Sequence, residues 1–408
     1  MRSNHNPVSL RLRQDPRLDS CLPRGMMTAE FGSAADKKKP TRGDVQMIHK
    51  LFPRAAFALA ACCSSALVAA SAASAAGYSA EYVFGDSLSD RGNIAEAENV
   101  GGLFSGNFPD PPSNHDSFTN GPVAVQLLAN SLGLNADPSL WLTGFKDPAG
   151  LFPGFTSGTN YAVGGATSSD ANAAISLINL PEQVAAYSAH VSDHADPNAL
   201  YVVMIGGNDV RNVALEPDPG TGAGAITEGV DTELAAISAL SGEGAEHFLV
   251  VNVPNVGLIP EFAEDDASRA GFATQLSQMY DADLAQGLHT LDPTLAAGTT
   301  LTDFNLYDFN ASILPKAAAL GFTNTTDPCF TDTPGSATAT TACGPDGANV
   351  DHFLFWDDIH PTAPVQALWA GGLRSAVPEP STWAMLVIGF VGLGFAGYCG
   401  GARVRAAA

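Results

Sequence analysis

Basic residues are scarce. The 408-residue chain holds 19 Lys and Arg against 42 Asp and Glu, a formal net charge of −23. Between positions 77 and 376 only six basic side chains face 36 acidic ones, a net of −30. Such a surface repels phosphate backbones and anionic lipid, so nucleic acid is excluded as a partner of that region. Charge of either sign is sparse, at 15% of residues against 45% hydrophobic, which excludes wholesale disorder. Cysteine is almost missing from the same stretch. Of six, Cys21, Cys62 and Cys63 precede it and Cys399 follows it, leaving Cys329 and Cys343. Two cysteines make no thiolate metal site. Flanking a Thr/Gly/Pro-rich loop, they can close it by a disulfide in an oxidising compartment. No internal repeat is visible, and the nucleophile-elbow pattern Gly-x-Ser-x-Gly occurs nowhere.

What is present starts with targeting signals at both ends. Residues 1–46 carry Arg11, Arg13, Arg17, Arg24 and Lys37–Lys39 without a sustained apolar period. They read as an extension upstream of a true start at Met47, or as a disordered basic arm. From Met47 a basic segment, an Ala-rich apolar run over Ala55–Ala70 and small residues to Ala76 form the three parts of a secretory signal peptide. Leu59-Ala60-Ala61-Cys62 offers a competing reading, a lipoprotein box with Cys62 lipidated. At the other end, Val377-Pro378-Glu379-Pro380-Ser381-Thr382-Trp383 precedes about 20 uncharged residues and then Arg403 and Arg405. As a helix that run would cross about 30 Å of hydrocarbon, with a positive-inside stop. The arrangement resembles a PEP-CTERM sorting signal. This resemblance implies a transient inner-membrane helix, an exosortase-type processing partner, and a periplasmic, surface or secreted destination.

The region 77–376 then reads as one domain. Strand-like runs at Glu81–Gly85, Leu200–Gly206, His247–Val253 and Thr299–Asp303 alternate with helical segments at Pro122–Leu132, Ala225–Leu240 and Ala267–Leu291. That alternation predicts an α/β domain, a parallel sheet covered by helices. Gly101–Asn120 and Asn324–Asn349 read as loop-rich inserts.

Four segments carry the chemistry. Tyr82-Val83-Phe84-Gly85-Asp86-Ser87-Leu88-Ser89-Asp90 ends a strand in Gly-Asp-Ser. A serine there stands at the carboxyl end of a sheet, where backbone N–H groups can face developing negative charge. Gly164-Gly165, within Gly158–Thr167, exposes backbone N–H groups to close approach. Val202–Asp209 runs a buried-type strand into Gly206-Gly207-Asn208-Asp209, where Asn208 can aim its amide at an oxyanion. In Asp357-Asp358-Ile359-His360, an Asp and a His three apart can meet on one turn, leaving one imidazole nitrogen for the serine proton. His190 and His194, four apart, lack a third ligand and read as solvent-facing.

In this order the four segments, with Ser117-Phe118-Thr119-Asn120-Gly121-Pro122-Val123, resemble the SGNH/GDSL family of lipases and esterases over most of 80–376. The resemblance implies a three-layer α/β/α sandwich with a mainly parallel five-stranded sheet. It implies Ser87 as nucleophile, His360 as general acid/base and Asp357 as its orienting carboxylate, with Asp358 a decoy. The oxyanion hole would be the Ser87 and Gly165 N–H groups and the Asn208 amide, with Gly164 as the alternative to Gly165. No metal or organic cofactor is implied. The expected substrate is an acyl lipid or phospholipid ester. An O-acetyl or acyl group on an exopolysaccharide, or a non-catalytic surface protein on the same scaffold, are the alternatives.

Overall fold

Continuous apolar runs suit strands buried on both faces, and the runs at Glu81–Gly85, Leu200–Met204 and His247–Val251 are so placed, whereas Thr300–Phe304 is a partly exposed edge. In the computed structural model, which describes residues 77–95, 117–142, 158–173, 178–216, 222–263, 267–331, 340–344 and 347–378, four strands form one parallel sheet. They are β1 (Glu81–Gly85), β2 (Leu200–Met204), β3 (His247–Val251) and β4 (Thr300–Phe304), paired in that order. Register runs Val83↔Val202, Val202↔Leu249 and Leu249↔Thr302.

Alternate residues divide the core into two layers. Phe84, Tyr201, Val203, Phe248 and Val250 face one layer. The helices on it are α2 (Leu180–Val191), α3 (Gly207–Leu215), α4 (Gly222–Glu243) and α5 (Ala267–Leu291). Val83, Val202, Met204, Leu249 and Val251 face the other. There α1 (Ala124–Ser131), α6 (Leu306–Ile313) and α7 (Ala363–Ala376) cover the sheet. The result is a three-layer α/β/α sandwich.

The expected fifth strand is absent as a regular strand. Its place beside β1 is taken by Thr159–Val163, which makes three ladder bonds with β1: Val83 N–H to Thr159 O (3.1 Å), Tyr161 N–H to Val83 O (2.7 Å) and Val163 N–H to Gly85 O (3.1 Å). Only an isolated parallel bridge, Val83↔Asn160, is regular. The outer edge explains this. It is bridged by Pro138, which has no N–H to extend a ladder. Side chains take over instead: Asn93 Nδ2 donates to the carbonyls of Asn160 (2.9 Å) and Ala162 (2.8 Å). The regular sheet among the described residues is therefore four-stranded.

The chain visits one flank of β1 at Thr159–Val163 and the other at β2. A crevice opens where strand order reverses, outside the carboxyl ends of the strands, and parallel sheets bind ligands there. The insert expected at Asn324–Asn349 carries structure: β5 (Asn324–Pro328) pairs with β8 (Phe353–Phe355), and β6 (Phe330–Thr331) with β7 (Thr340–Thr341). Cys329 and Cys343 are disulfide-bonded there, Cα atoms 5.0 Å apart. Phe330 N–H donates to Trp356 O (2.9 Å), tying this insert to the chain entering the Asp357–His360 turn.

The signal peptide, Cys62, most of Gly101–Asn120 and the apolar segment after Pro378 lie outside the described residues. Among those described, no helix is long and apolar enough to cross a membrane.

Candidate active site

The end of β1 is set by close backbone approach. A Cβ on Gly85 would lie 2.4 Å from the Met204 carbonyl oxygen of β2, so only glycine permits this pairing. Gln183 of α2 pins the same residue in both directions, accepting from Gly85 N–H and donating to Gly85 O, each at 2.8 Å. The chain then turns, with Ser89 and Asp90 N–H both on the Asp86 carbonyl. Ser87 emerges at the crevice.

His360 arrives from the far end of the sequence. Asp357 Oδ1 accepts the backbone N–H of Ile359 (2.9 Å) and of His360 (2.6 Å), an Asp-stabilised turn that brings its own carboxylate under the imidazole. Nδ1 of His360 lies 2.9 and 3.0 Å from the two Asp357 oxygens, and Nε2 lies 2.8 Å from Ser87 Oγ. All three residues are buried. Burial alone would raise the Asp357 carboxyl, but the charge of His360 and the hydrogen bonds from His360 and Ile359 outweigh it and hold the carboxyl below its ordinary value. Asp358 presents its backbone carbonyl to Glu261 N–H at 3.0 Å. The carboxylate on the imidazole is that of Asp357.

The remaining segments meet around Ser87. Gly164 N–H donates to Asp90 Oδ2 at 2.7 Å and is committed. Gly165 sits at φ +82°, in open space, with no partner for its N–H among the described residues. Asn208, in the first turn of α3, donates from Nδ2 to Ala166 O at 2.9 Å, which leaves its second amide hydrogen. The two strand ends flanking β1 are thus tied to each other.

Some of these supports lie in motifs whose partners the sequence does not give. Asp90 is fully buried and accepts from Gly92, Asn93 and Gly164 N–H, so it shapes both the Ser87 turn and the glycine pair. Phe118 stacks obliquely on His360, ring centroids 4.9 Å apart, and a Cβ on Gly164 would lie 2.4 Å from its ring. Ser117–Val123, legible as a motif, has this as its structural content: it fills the space between the imidazole and the glycine pair.

A cleft of about 350 Å³ opens from Ser87. Its walls are mostly apolar, including Leu88, Val256, Ile259, Ile313, Leu354 and Trp369. Arg211 on its wall pairs with Glu261, Nε to Oε2 at 2.6 Å. His190 faces Tyr161 OH at 2.7 Å, and His194 bonds the Ser192 carbonyl. Among the described residues no cluster of three or more His, Cys, Asp or Glu could hold a metal ion.

Several carboxyls near the site are buried enough to hold protons well above the ordinary range. Burial pushes Asp86 and Asp90 up to about 6 and Asp209 to about 7. Deeper in the same layer, burial pushes Glu233 and Asp281 up to about 8. Unfolded carboxyls titrate near 4. Between about pH 4 and pH 8 the folded state therefore binds more protons than the unfolded one, and stability falls as pH rises. Thermal melts are expected to give a higher Tm at pH 5.5 than at pH 8.5. Equal or reversed values would mean that these groups ionise freely in the fold.

Comparison with known proteins places the chain among relatives. The family model described as GDSL-like Lipase/Acylhydrolase matches residues 82–372, and a PEP-CTERM protein-sorting motif matches 376–403. Lipase 1 of Photorhabdus luminescens is 34% identical over 195 residues, covering 48% of this chain and 25% of its own. Esterase EstA of Pseudomonas aeruginosa is 28% identical over 356 residues, 81% of this chain and 51% of its own. The thermolabile hemolysin of Vibrio parahaemolyticus is 26% identical over 296 residues, 68% and 59% respectively. The chain thus spans 25% to 59% of the length of these relatives.

Proposed function

The chain belongs to the GDSL-like lipase/acylhydrolase family, and we propose that it is an exported serine esterase acting on acyl-lipid esters. The observation that carries this reading is the continuous hydrogen-bonded line from Ser87 Oγ through His360 to Asp357 at the mouth of an apolar cleft.

In the proposed reaction, His360 Nε2 takes the Ser87 proton as Oγ attacks the ester carbonyl. Asp357 keeps the Nδ1–H tautomer and stabilises the imidazolium. The carbonyl oxygen becomes an oxyanion facing the Ser87 N–H, the Gly165 N–H and the Asn208 amide. Gly164 is a poorer donor than Gly165, because Asp90 already holds its N–H. Each preorganised donor of this kind contributes roughly 10²–10³ in rate. His360 then returns the proton to the departing alkoxide. Water, deprotonated by His360, hydrolyses the acyl-serine and regenerates Ser87. No step calls for a metal or organic cofactor.

The sorting motif at 376–403 indicates export and sorting to the cell envelope. We assign 77–376 as the catalytic domain, 47–76 as its signal peptide and 377–408 as the sorting tag with a membrane helix cut by an exosortase-type enzyme. The disulfide-bonded Cys329 and Cys343 suit an oxidising compartment outside the cytoplasm.

The apolar lining favours an acyl chain over an acetyl group, because each methylene buried contributes about 0.8 kcal/mol, close to fourfold in kcat/KM. The sorting motif is the observation that favours the second reading, O-deacylation of an exopolysaccharide. A panel of p-nitrophenyl esters separates the two. For acyl-lipid hydrolysis, kcat/KM should climb from acetate to butyrate by at least tenfold and continue to octanoate. Turnover confined to acetate would overturn the acyl-lipid reading.

A further inference from the structure

The two oxyanion segments are joined from beneath by side chains that the ester chemistry does not use. Ser168, three residues after Gly165, donates its backbone N–H to Asp209 Oδ2 at 2.8 Å, and Asp209 follows Asn208. Ser168 Oγ lies 2.6 Å from the Tyr280 hydroxyl of α5. Tyr280 in turn donates to Glu233 Oε2 of α4 at 2.7 Å. Ser168, Tyr280 and Glu233 are fully buried and Asp209 is 1% exposed.

Two glycines make room for this strut. A Cβ on Gly206, at φ +104°, would lie 2.5 Å from the Tyr280 ring, and one on Gly229 would lie 2.9 Å from Asp209 Oδ1. Asp209 Oδ1 and Glu233 Oε1 have no hydrogen-bond partner among the described residues. Burying carboxyls this incompletely satisfied is unfavourable, and an apolar pair of similar volume would pack the same space at lower cost. Packing alone does not account for the arrangement.

We propose that Tyr280 and Glu233 are positioning residues that, through Ser168 and Asp209, set the spacing between the Gly165 N–H and the Asn208 amide. The inference rests on the esterase reading, because that reading makes these two groups oxyanion donors. A misplacement of about 1 Å in such donors is enough to lower a rate by up to 10²-fold.

Burial favours the protonated form of the two carboxyls in this strut. The charged groups that bear on it are acidic. Asp209 faces Asp86 beyond β1. Glu233 faces Asp209 of α3, Asp281 of α5 and Asp303 of β4. Tyr280 faces Glu233 and Asp209. Losing protons from Asp209 and Glu233 therefore adds like charges that push the chain of contacts apart. It also places negative charge behind the point where the transition state itself becomes negative. Burial puts Asp209 at about 7 and Glu233 at about 8, so this loss falls on the alkaline side of neutrality.

Steady-state hydrolysis of p-nitrophenyl butyrate between pH 6 and pH 9.5, with thermal melts in parallel, tests this. Tyr280→Phe should lower kcat on the order of tenfold with KM within about twofold of wild type. Glu233→Gln, which cannot ionise, should lose less of its own activity between pH 7 and pH 9 than wild type loses of its own. If Tyr280→Phe does not fold, the Glu233→Gln profile decides. Folded variants with the wild-type kcat and the wild-type alkaline limb would overturn the proposal. Wild-type protein that turns over no ester would instead defeat the esterase reading, and this inference with it.

Discussion

Replacing Ser87 by alanine should lower kcat for p-nitrophenyl ester hydrolysis by on the order of 10⁴-fold or more, with KM changed little. The size of the loss follows from the geometry. Ser87 Oγ is the hydroxyl that His360 Nε2 reaches, at 2.8 Å. Without it, the imidazole can only activate water, and no acyl-enzyme forms. The proposed oxyanion donors remain, so residual catalysis over the uncatalysed reaction is expected. Stability should barely move, because the variant removes one hydrogen bond at the mouth of an open cleft. A fluorophosphonate probe should add covalently to wild type at Ser87 and leave the alanine variant unlabelled. Turnover at the wild-type level by Ser87→Ala would end the assignment of the nucleophile.

The second large effect separates two adjacent carboxylates. Asp357→Asn should lower kcat by on the order of 10⁴-fold, whereas Asp358→Asn should stay within about threefold of wild type. Asp357 Oδ1 is held by the N–H groups of Ile359 and His360, so an asparagine there keeps its carbonyl oxygen on those donors. Its NH₂ then faces His360 Nδ1, which must become an acceptor. The ring proton moves to Nε2, and Nε2 can no longer accept from Ser87. Asp358 meets Glu261 through its backbone carbonyl, which the substitution preserves. Kinetics of the two variants at neutral pH check this. Equal losses, or a larger loss at Asp358, would reassign the orienting carboxylate.

Much of this site could be read locally. Gly85-Asp86-Ser87 ends a strand whose bounds match the expected Glu81–Gly85, and the helix expected over Ala267–Leu291 runs between those residues. Both follow from short-range patterns: an apolar run cut by glycine, and a helical period free of proline. The Asp357-to-His360 spacing is local too, since one turn brings both side chains together. Asp90 was legible only as part of a motif. Its role depends on Gly164, 74 residues away, whose N–H it takes. Gln183 acts on Gly85 across 98 residues, and Ser168 meets Tyr280 across 112. No pattern in the neighbouring sequence encodes such pairings.

The same division explains the choice between the two glycines and the missing strand. The sequence alone carried the parallel sheet, the acidic domain and the motifs that single out Ser87, His360 and Asp357 as the proposed triad, because each depends on side-chain type and near-neighbour spacing. Tertiary structure decided which glycine N–H is left open, because Asp90 consumes the other. It decided that Thr159–Val163 would line β1 without becoming a regular strand, because Pro138 and Asn93 occupy its outer edge. It also placed four acidic and hydroxyl side chains from distant elements in one buried line under the proposed oxyanion donors. Backbone N–H groups are chemically identical along a chain. Which of them a site can use depends on what packing has already bonded.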